Sequence, residues 1–227
     1  IPLTQLFGNG YVYCSDYLSE QEAELELRQH LGLEDSDMKA VHLHWSPGRL
    51  EKHWKNNCIA IGLSQGFLEP LEAPMLYLIQ RTAENFIAYV EHDNFESKLQ
   101  DKFNREINLL IDGTIDYLQA HYKLNSRDDS QFWRDCRENT CMSPSLEAII
   151  SGWDKPGNFD AVMQSQFNTQ VYQRASWYCL LAGMGRFGEA ETNNNDTAKQ
   201  NHNTAKVDSE QQSEKFHDHY AWLEKQK

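Results

Sequence analysis

The sequence predicts an α+β chain, with a few antiparallel strands in its first third and a mostly helical remainder. Three observations carry this. Up to about residue 61, short runs of aromatic and β-branched residues flank Gly/Asn and Ser-Pro-Gly turns, the pattern of paired strands. From Leu76 the apolar residues recur at spacings of three, four and seven, the period of a helix with one buried face. After Gly188 apolar residues nearly vanish among Asn, Gln and charges.

Each element follows from local chemistry. Gly8-Asn9-Gly10, between the apolar start of the chain and Tyr11-Val12-Tyr13, predicts a hairpin. Ser19-Glu20-Gln21-Glu22 fits a capping box; Ala23, Leu27 and Leu31 then share a face, and Gly32 stands where that helix stops. A strand is expected over 40–45. After the turn Ser46-Pro47-Gly48, the chain resumes through Trp54 to a second strand at Ile59-Ala60-Ile61. Helices are predicted from Leu76 to about Val90 and over 95–122, where Phe103, Ile107, Leu110, Ile111, Leu118 and Tyr122 keep to one face. Three more are expected over 130–139, over 144–150 with Ser143 as cap, and over 160–182, with Gly183-Met184-Gly185 as a stop. The division that results is a strand-rich part over 1–75, a helical part over 76–188, a polar linker over 189–215 and a short helix over 216–227. The linker is expected to be disordered, because it has too little apolar surface to offset its ordering entropy.

Composition excludes several function classes. Of 227 residues 40% are hydrophobic, so a core is within reach and global disorder is excluded. Lys and Arg number 21 against 34 Asp and Glu, a net charge of −13, and no basic run exists to offset it; a phosphate backbone is not the partner. No apolar run is long enough for a membrane helix. The five cysteines (Cys14, Cys58, Cys136, Cys141 and Cys179) are scattered and lack a secretory leader beside them, which reads as reduced thiols in a cytoplasm. The chain begins with Ile1, which implies a processed terminus or a piece of a longer protein.

Most catalytic signatures are missing. The nine histidines, His42, His44 and His53 among them, lack the short-spaced ligand pairs of a zinc site, and no metal is expected. No phosphate-cradling glycine loop occurs, and 62–66 is not read as a nucleophile elbow. The densest segment is 56–80, where Glu69 and Glu72 stand in apolar surroundings before a helix start. Each is either a first-turn acid favoured by the helix dipole or a desolvated carboxylate placed for proton work.

This segment resembles the flavin-dependent tryptophan halogenase family. Gly-Leu-Ser-Gln-Gly-Phe-Leu-Glu-Pro-Leu-Glu-Ala over 62–73 is similar to the family's G-L-S-x-G-F-L-E-P-L-E-A stretch. Ile1-Pro2 resemble the end of its W-x-W-x-I-P signature, followed by Gly8-Asn9-Gly10-Tyr11-Val12-Tyr13; 124–137 and 177–185 match in order as well. The resemblance implies a C-terminal portion of a flavin-monooxygenase-like α/β fold, with 1–75 completing the flavin-binding core and 76–188 forming the substrate side. The dinucleotide motif and catalytic lysine of the family lie outside this chain, which alone is expected to be inactive.

The resemblance also implies chemistry. Reduced FAD, supplied by a separate flavin reductase, and oxygen would oxidise a halide ion to hypohalous acid, which halogenates an electron-rich aromatic. Glu72 matches the glutamate that orients the oxidant and takes the ring proton. Leu63 and Leu76 match positions whose backbone lies against the flavin. Where tryptophan-specific members hold halide on the amides of a Thr and a Gly, this sequence has Pro74 and Met75, and proline has no N–H. Tyr172 aligns with the tryptophan that lines their substrate site, and the residues that hold the amino acid's charged end have no counterparts. Free tryptophan is therefore not the expected substrate; another indole, a phenol or a pyrrole is. Two other readings stand beside this one: a flavin monooxygenase or oxidase without halide chemistry, and a non-enzymatic helical binding remnant. A homodimer is compatible with all three.

Overall fold

The computed structural model describes residues 8–92, 97–155, 157–187, 195–216, 218, 221, 224 and 225. In chain order the elements are α1 (Glu20–Leu31), β1 (Gly48–Arg49), β2 (Trp54–Lys55), β3 (Cys58–Ile59), β4 (Gly66–Phe67), α2 (Met75–His92), α3 (Ser97–Lys123), α4 (Gln131–Glu138), α5 (Pro144–Asp154), α6 (Phe159–Ser165), α7 (Arg174–Gly183) and α8 (Asn195–Ser213). Short 3₁₀ turns cover Gly62–Ser64 and Phe167–Thr169. The chain forms two compact units, one of Ile1–His42 with Glu191–Lys227, the other of Leu43–Ala190.

In the first unit, the capping box forms as read. The Ser19 hydroxyl accepts from the Glu22 amide at 3.3 Å, Glu22 accepts from the Ser19 amide at 2.9 Å, and Gly32 ends α1 at φ 65°. Arg28 reaches from the last turn of α1 to the carbonyl oxygens of Ser36 and Met38, at 3.1 and 2.6 Å, and fixes the loop that follows.

In the second unit, the 27-residue α3 is the spine. Its first two-thirds carry Phe103, Ile107, Leu110 and Ile111 into one apolar cluster with Trp54, Leu68 and Leu78. Its end carries Tyr117 and Ala120 into a second, with Leu146, Ile149, Phe159, Trp177 and Leu181. A polar stripe on α3 takes the place of a neighbouring strand. Asn104 Oδ1 accepts from the His53 and Trp54 amides, both at 2.7 Å, and its Nδ2 donates to the Trp54 carbonyl oxygen at 2.8 Å. Four residues away on either side, Gln100 bonds Asn56 and Asn108 donates to Glu51 O. One more step along, Asp112 receives both arms of Arg49 at 2.8 and 2.9 Å.

Several expectations need correction. Among the described residues no strand precedes Gly48. Residues 8–13 are irregular, and the expected hairpin's first half, 1–7, lies outside the described residues. The strand expected over 40–45 is absent: among the described residues it enters no ladder, and Val41 and Leu43 stay exposed. The pairs that do form are short. Trp54–Lys55 pairs antiparallel with Cys58–Ile59 across Asn56, at φ 55°, and Gly48–Arg49 pairs with Gly66–Phe67. The helix expected over 160–182 breaks into α6, a 3₁₀ turn and α7. At that break the Thr169 carbonyl oxygen comes so close to Gly113 on α3 that any Cβ there would collide with it. The stretch expected as a disordered linker is helical over Asn195–Ser213, with its described side chains exposed. The short helix expected over 216–227 falls largely outside the described residues. Elsewhere α2, α3 and α4 begin and end within two residues of expectation, α5 runs four residues past its predicted end, and α7 stops at Gly183.

Candidate active site

Glu72 lies in a tight turn between β4 and α2. The Ala73 amide donates to the Pro70 carbonyl oxygen at 3.0 Å, closing the turn, and Glu72 and Ala73 adopt left-handed φ values of 62° and 47°. Two consecutive non-glycine residues in that region store strain on the order of 1–3 kcal/mol each, so their surroundings must hold them there. The holders come from two other elements. From the last turn of α3, His121 Nε2 lies 3.1 Å from Glu72 Oε1. From just before α7, the Tyr172 hydroxyl donates to the Glu72 backbone carbonyl at 3.2 Å. Glu72 Oε2 makes no hydrogen bond among the described residues, and the side chain keeps 39% exposure.

Aromatic packing fixes those two holders. The Tyr172 ring stacks on Tyr117, centroids 4.0 Å apart and 18° from parallel, and Tyr117 meets His121 edge-on at 4.9 Å. The Tyr117 hydroxyl donates to Ser176 O at 3.2 Å. Burial, and after it the Glu72 charge, pushes the Tyr117 phenol up to about 12, and the same two causes push Tyr172 up. Both therefore remain neutral donors at any working pH.

Glu69 is a different kind of carboxylate. Its Oε2 accepts from the Tyr122 hydroxyl at 2.6 Å, and its Oε1 is buried without a partner. Tyr122 in turn stacks on Trp133, 17° from parallel. Burial first, then the hydrogen bond and charge of Glu69, drive the Tyr122 phenol up, so it stays protonated as the donor Glu69 needs.

Pro74 is buried, and its carbonyl oxygen accepts from Leu78 in the first turn of α2. Met75 opens that helix, where the first amides have no carbonyl one turn earlier to bond. Leu63, in the 3₁₀ turn, and Leu76 point outward at 77% and 80% exposure. Among the described residues no group of three His, Cys, Asp or Glu side chains is placed to hold a metal ion, and no helix is long and apolar enough to cross a membrane.

The family model described as Tryptophan halogenase matches residues 1–200. The chain belongs to that family. The tryptophan 6-halogenase SttH of Streptomyces toxytricini is 39% identical over 188 residues, covering 83% of this chain and 35% of that protein. Among solved structures, a tryptophan halogenase from Shewanella frigidimarina has a TM-score of 0.79 at 27% identity, covering 95% of this chain and 42% of that one. BrvH, a flavin-dependent halogenase from a Brevundimonas species, has a TM-score of 0.66 at 33% identity, covering 78% of this chain and 35% of that one. The chain spans little more than a third of the length of the curated relatives it matches.

In this halogenase-family chain, Glu72 and Tyr172 are brought into direct contact, with Pro74 and Met75 following in the same segment. No direct contact joins Leu63 or Leu76 to Glu72 among the hydrogen bonds and ion pairs; both stand on the outer face of the segments that flank its turn. Two stretches that carried the resemblance are structural: Arg127 lies over the Trp133 ring at 4.5 Å, Arg137 pairs with Asp128 at 2.8 Å, and Trp177 is fully buried. Sequence reasoning missed His121 and Tyr117. The one available signal was their spacing: four apart, both fall on the end of the predicted long helix on the face that carries its apolar residues.

Proposed function

We propose that this chain supplies the glutamate-bearing part of a flavin-dependent halogenase whose substrate is an electron-rich aromatic, indole-like and other than free tryptophan. The observation that carries the reading is Glu72, a carboxylate held in a strained turn by two remote side chains, with one oxygen left unbonded. Strain maintained by such contacts is typical of functional positions.

Reduced FAD, renewed by a separate flavin reductase, would supply together with oxygen the power to oxidise a halide ion. The residues present fit that group: Leu63 and Leu76 expose apolar side chains that a flat ring system would cover, and their backbones would hold it. A halide would lie at the start of α2, where the Met75 N–H and the helix dipole favour an anion. Pro74 contributes no donor there.

Glu72 does two things in this scheme. Its charge favours the cationic ring that forms when the halogen adds. Its free oxygen then accepts the proton from the substituted carbon as the C–H bond breaks and the electron pair returns to the ring. Tyr172 holds the backbone of Glu72 through its hydroxyl, and its ring is fixed by the stack on Tyr117.

A full-length protein bearing this chain, assayed with a flavin reductase, bromide and a panel of indoles, phenols and pyrroles, tests the reading by mass spectrometry. Brominated product from the panel, with little from tryptophan, is expected. Normal flavin reoxidation with no brominated product would instead support the second reading, an oxidase or monooxygenase without halide chemistry, which Pro74 favours by removing a halide donor.

A further inference from the structure

We propose that His121 is the positioning residue for Glu72 and holds the carboxylate through one stored proton. This rests on the reading of Glu72 as proton acceptor and adds the group that sets its state. His121 Nδ1 lies 2.9 Å from the Tyr117 carbonyl oxygen, and Nε2 lies 3.1 Å from Glu72 Oε1. A carbonyl oxygen only accepts, so Nδ1 carries a hydrogen. A neutral imidazole has just one, which leaves Nε2 bare, and an ionised carboxylate oxygen also only accepts. Two bare acceptors at hydrogen-bond distance repel each other. The contact is attractive only when one further proton lies in it, as an imidazolium against a carboxylate.

The surroundings favour that form. His121 is in the last turn of α3, where the helix's exposed carbonyls stabilise a cation. The titratable groups that face the pair are Tyr117 on the same helix, Tyr172 ahead of α7 and Cys179 on α7. Both phenols are neutral, for the reasons given above. Glu69, the other carboxylate of this loop, is bonded to Tyr122. The partner available to the Glu72 charge among the described residues is thus His121.

The arrangement assigns a task to each carboxylate oxygen. Oε1 is occupied by the imidazolium, so Oε2 is the one left to take the ring proton. The pair then holds two protons and returns to one by releasing a proton to water past His121, whose side chain is 16% exposed. No oxidant or further base is needed.

The test uses the full-length protein with ¹⁵N-labelled histidine rings, the His121 signals being assigned by their loss in His121→Gln. At pH 7 both ring nitrogens of His121 are expected to carry hydrogen in the wild type, and in Glu72→Gln the ring should revert to a neutral form with a bare Nε2. A bare Nε2 in the wild type overturns the proposal. A kinetic arm compares His121→Phe, which removes the bond, with His121→Gln, whose amide can still donate to Oε1. The first should lose on the order of 10–100-fold in kcat for bromination with KM nearly unchanged, and the second should recover part of it. Equal kcat in wild type and His121→Phe also overturns it. A wild type that makes no brominated product defeats the halogenase reading instead, and the ring nitrogens still decide whether the pair stores a proton. Should His121→Phe fail to fold, the comparison of wild type with Glu72→Gln stands by itself.

Discussion

Tyr172 and Glu72 stand 100 residues apart, and the hydroxyl of one donates to the backbone carbonyl of the other at 3.2 Å. The bond couples the segment before α7 to the turn before α2, and it acts on the backbone of the residue whose side chain carries the proposed chemistry. Tyr172→Phe removes only that hydroxyl and keeps the stack on Tyr117. We expect a loss of about 0.5–1.5 kcal/mol in unfolding free energy. In the full-length enzyme kcat should fall several-fold, because the Glu72 turn is less well held. Chemical denaturation and steady-state bromination read the two effects separately; an unchanged kcat would show that the bond serves stability alone.

Ala73 adopts φ 47° with no side-chain function to justify it. Ala73→Gly relieves that conformation and is expected to stabilise the chain by about 0.5–1 kcal/mol, since glycine reaches the left-handed region freely. A shift of the urea midpoint to higher concentration at constant slope is the expected readout. A lower midpoint would mean that the loss of chain stiffness outweighs the strain.

Tyr122 is the donor that Glu69 has, with Oε1 of that carboxylate already buried and unpaired. Tyr122→Phe should therefore cost about 1.5–3 kcal/mol, the range for a hydrogen bond to a charged group. The double variant Tyr122→Phe with Glu69→Leu should recover part of that loss, because the stranded acceptor goes with its donor. Thermal unfolding of the three variants checks the order; a double variant as unstable as the two single losses combined would contradict it.

The elements legible in the sequence were those whose stability is local or periodic. The ends of α2 and α3 follow from apolar spacing, and α1 and α5 from the cap residues Ser19 and Ser143. Strands were misread because alternation says nothing about a partner. Residues 40–45 alternate well and yet join no sheet among the described residues, while the stripe Gln100, Asn104, Asn108 and Asp112 holds the β-region from a helix face. The break between α6 and α7 depends on the approach of Thr169 to Gly113, a tertiary fact. In the site, Glu72 was legible through its motif. His121 was not, because 49 residues and a change of element separate the pair.

His53 makes stability depend on pH. It is 2% exposed, its Nε2 donates to Asn108 Oδ1 at 2.9 Å, its Nδ1 has no partner, and burial holds its imidazole below the ordinary histidine value. As the pH falls, the unfolded chain therefore takes up the proton first. Stability is complete above the unfolded value near 6.5 and declines as the pH drops through it toward the lower folded value, with a slope of at most about 1.4 kcal/mol per pH unit. Asp116, raised mainly by burial, works in the opposite sense at acid pH and is common to wild type and variant. Urea unfolding at pH 7.5, 6.5 and 5.5 should thus show a steeper acid loss in the wild type than in His53→Gln; parallel curves would refute the assignment.

The role proposed for Glu72 as proton acceptor of a halogenation is tested most directly by the kcat of Glu72→Gln for bromination of the best aromatic substrate by the full-length enzyme. Glutamine keeps the size of the side chain and removes its charge and its basicity. A fall on the order of 100-fold or more in kcat is expected, with the flavin reoxidised at the wild-type rate and the thermal midpoint little changed. Bromination by Glu72→Gln at the wild-type rate would contradict it.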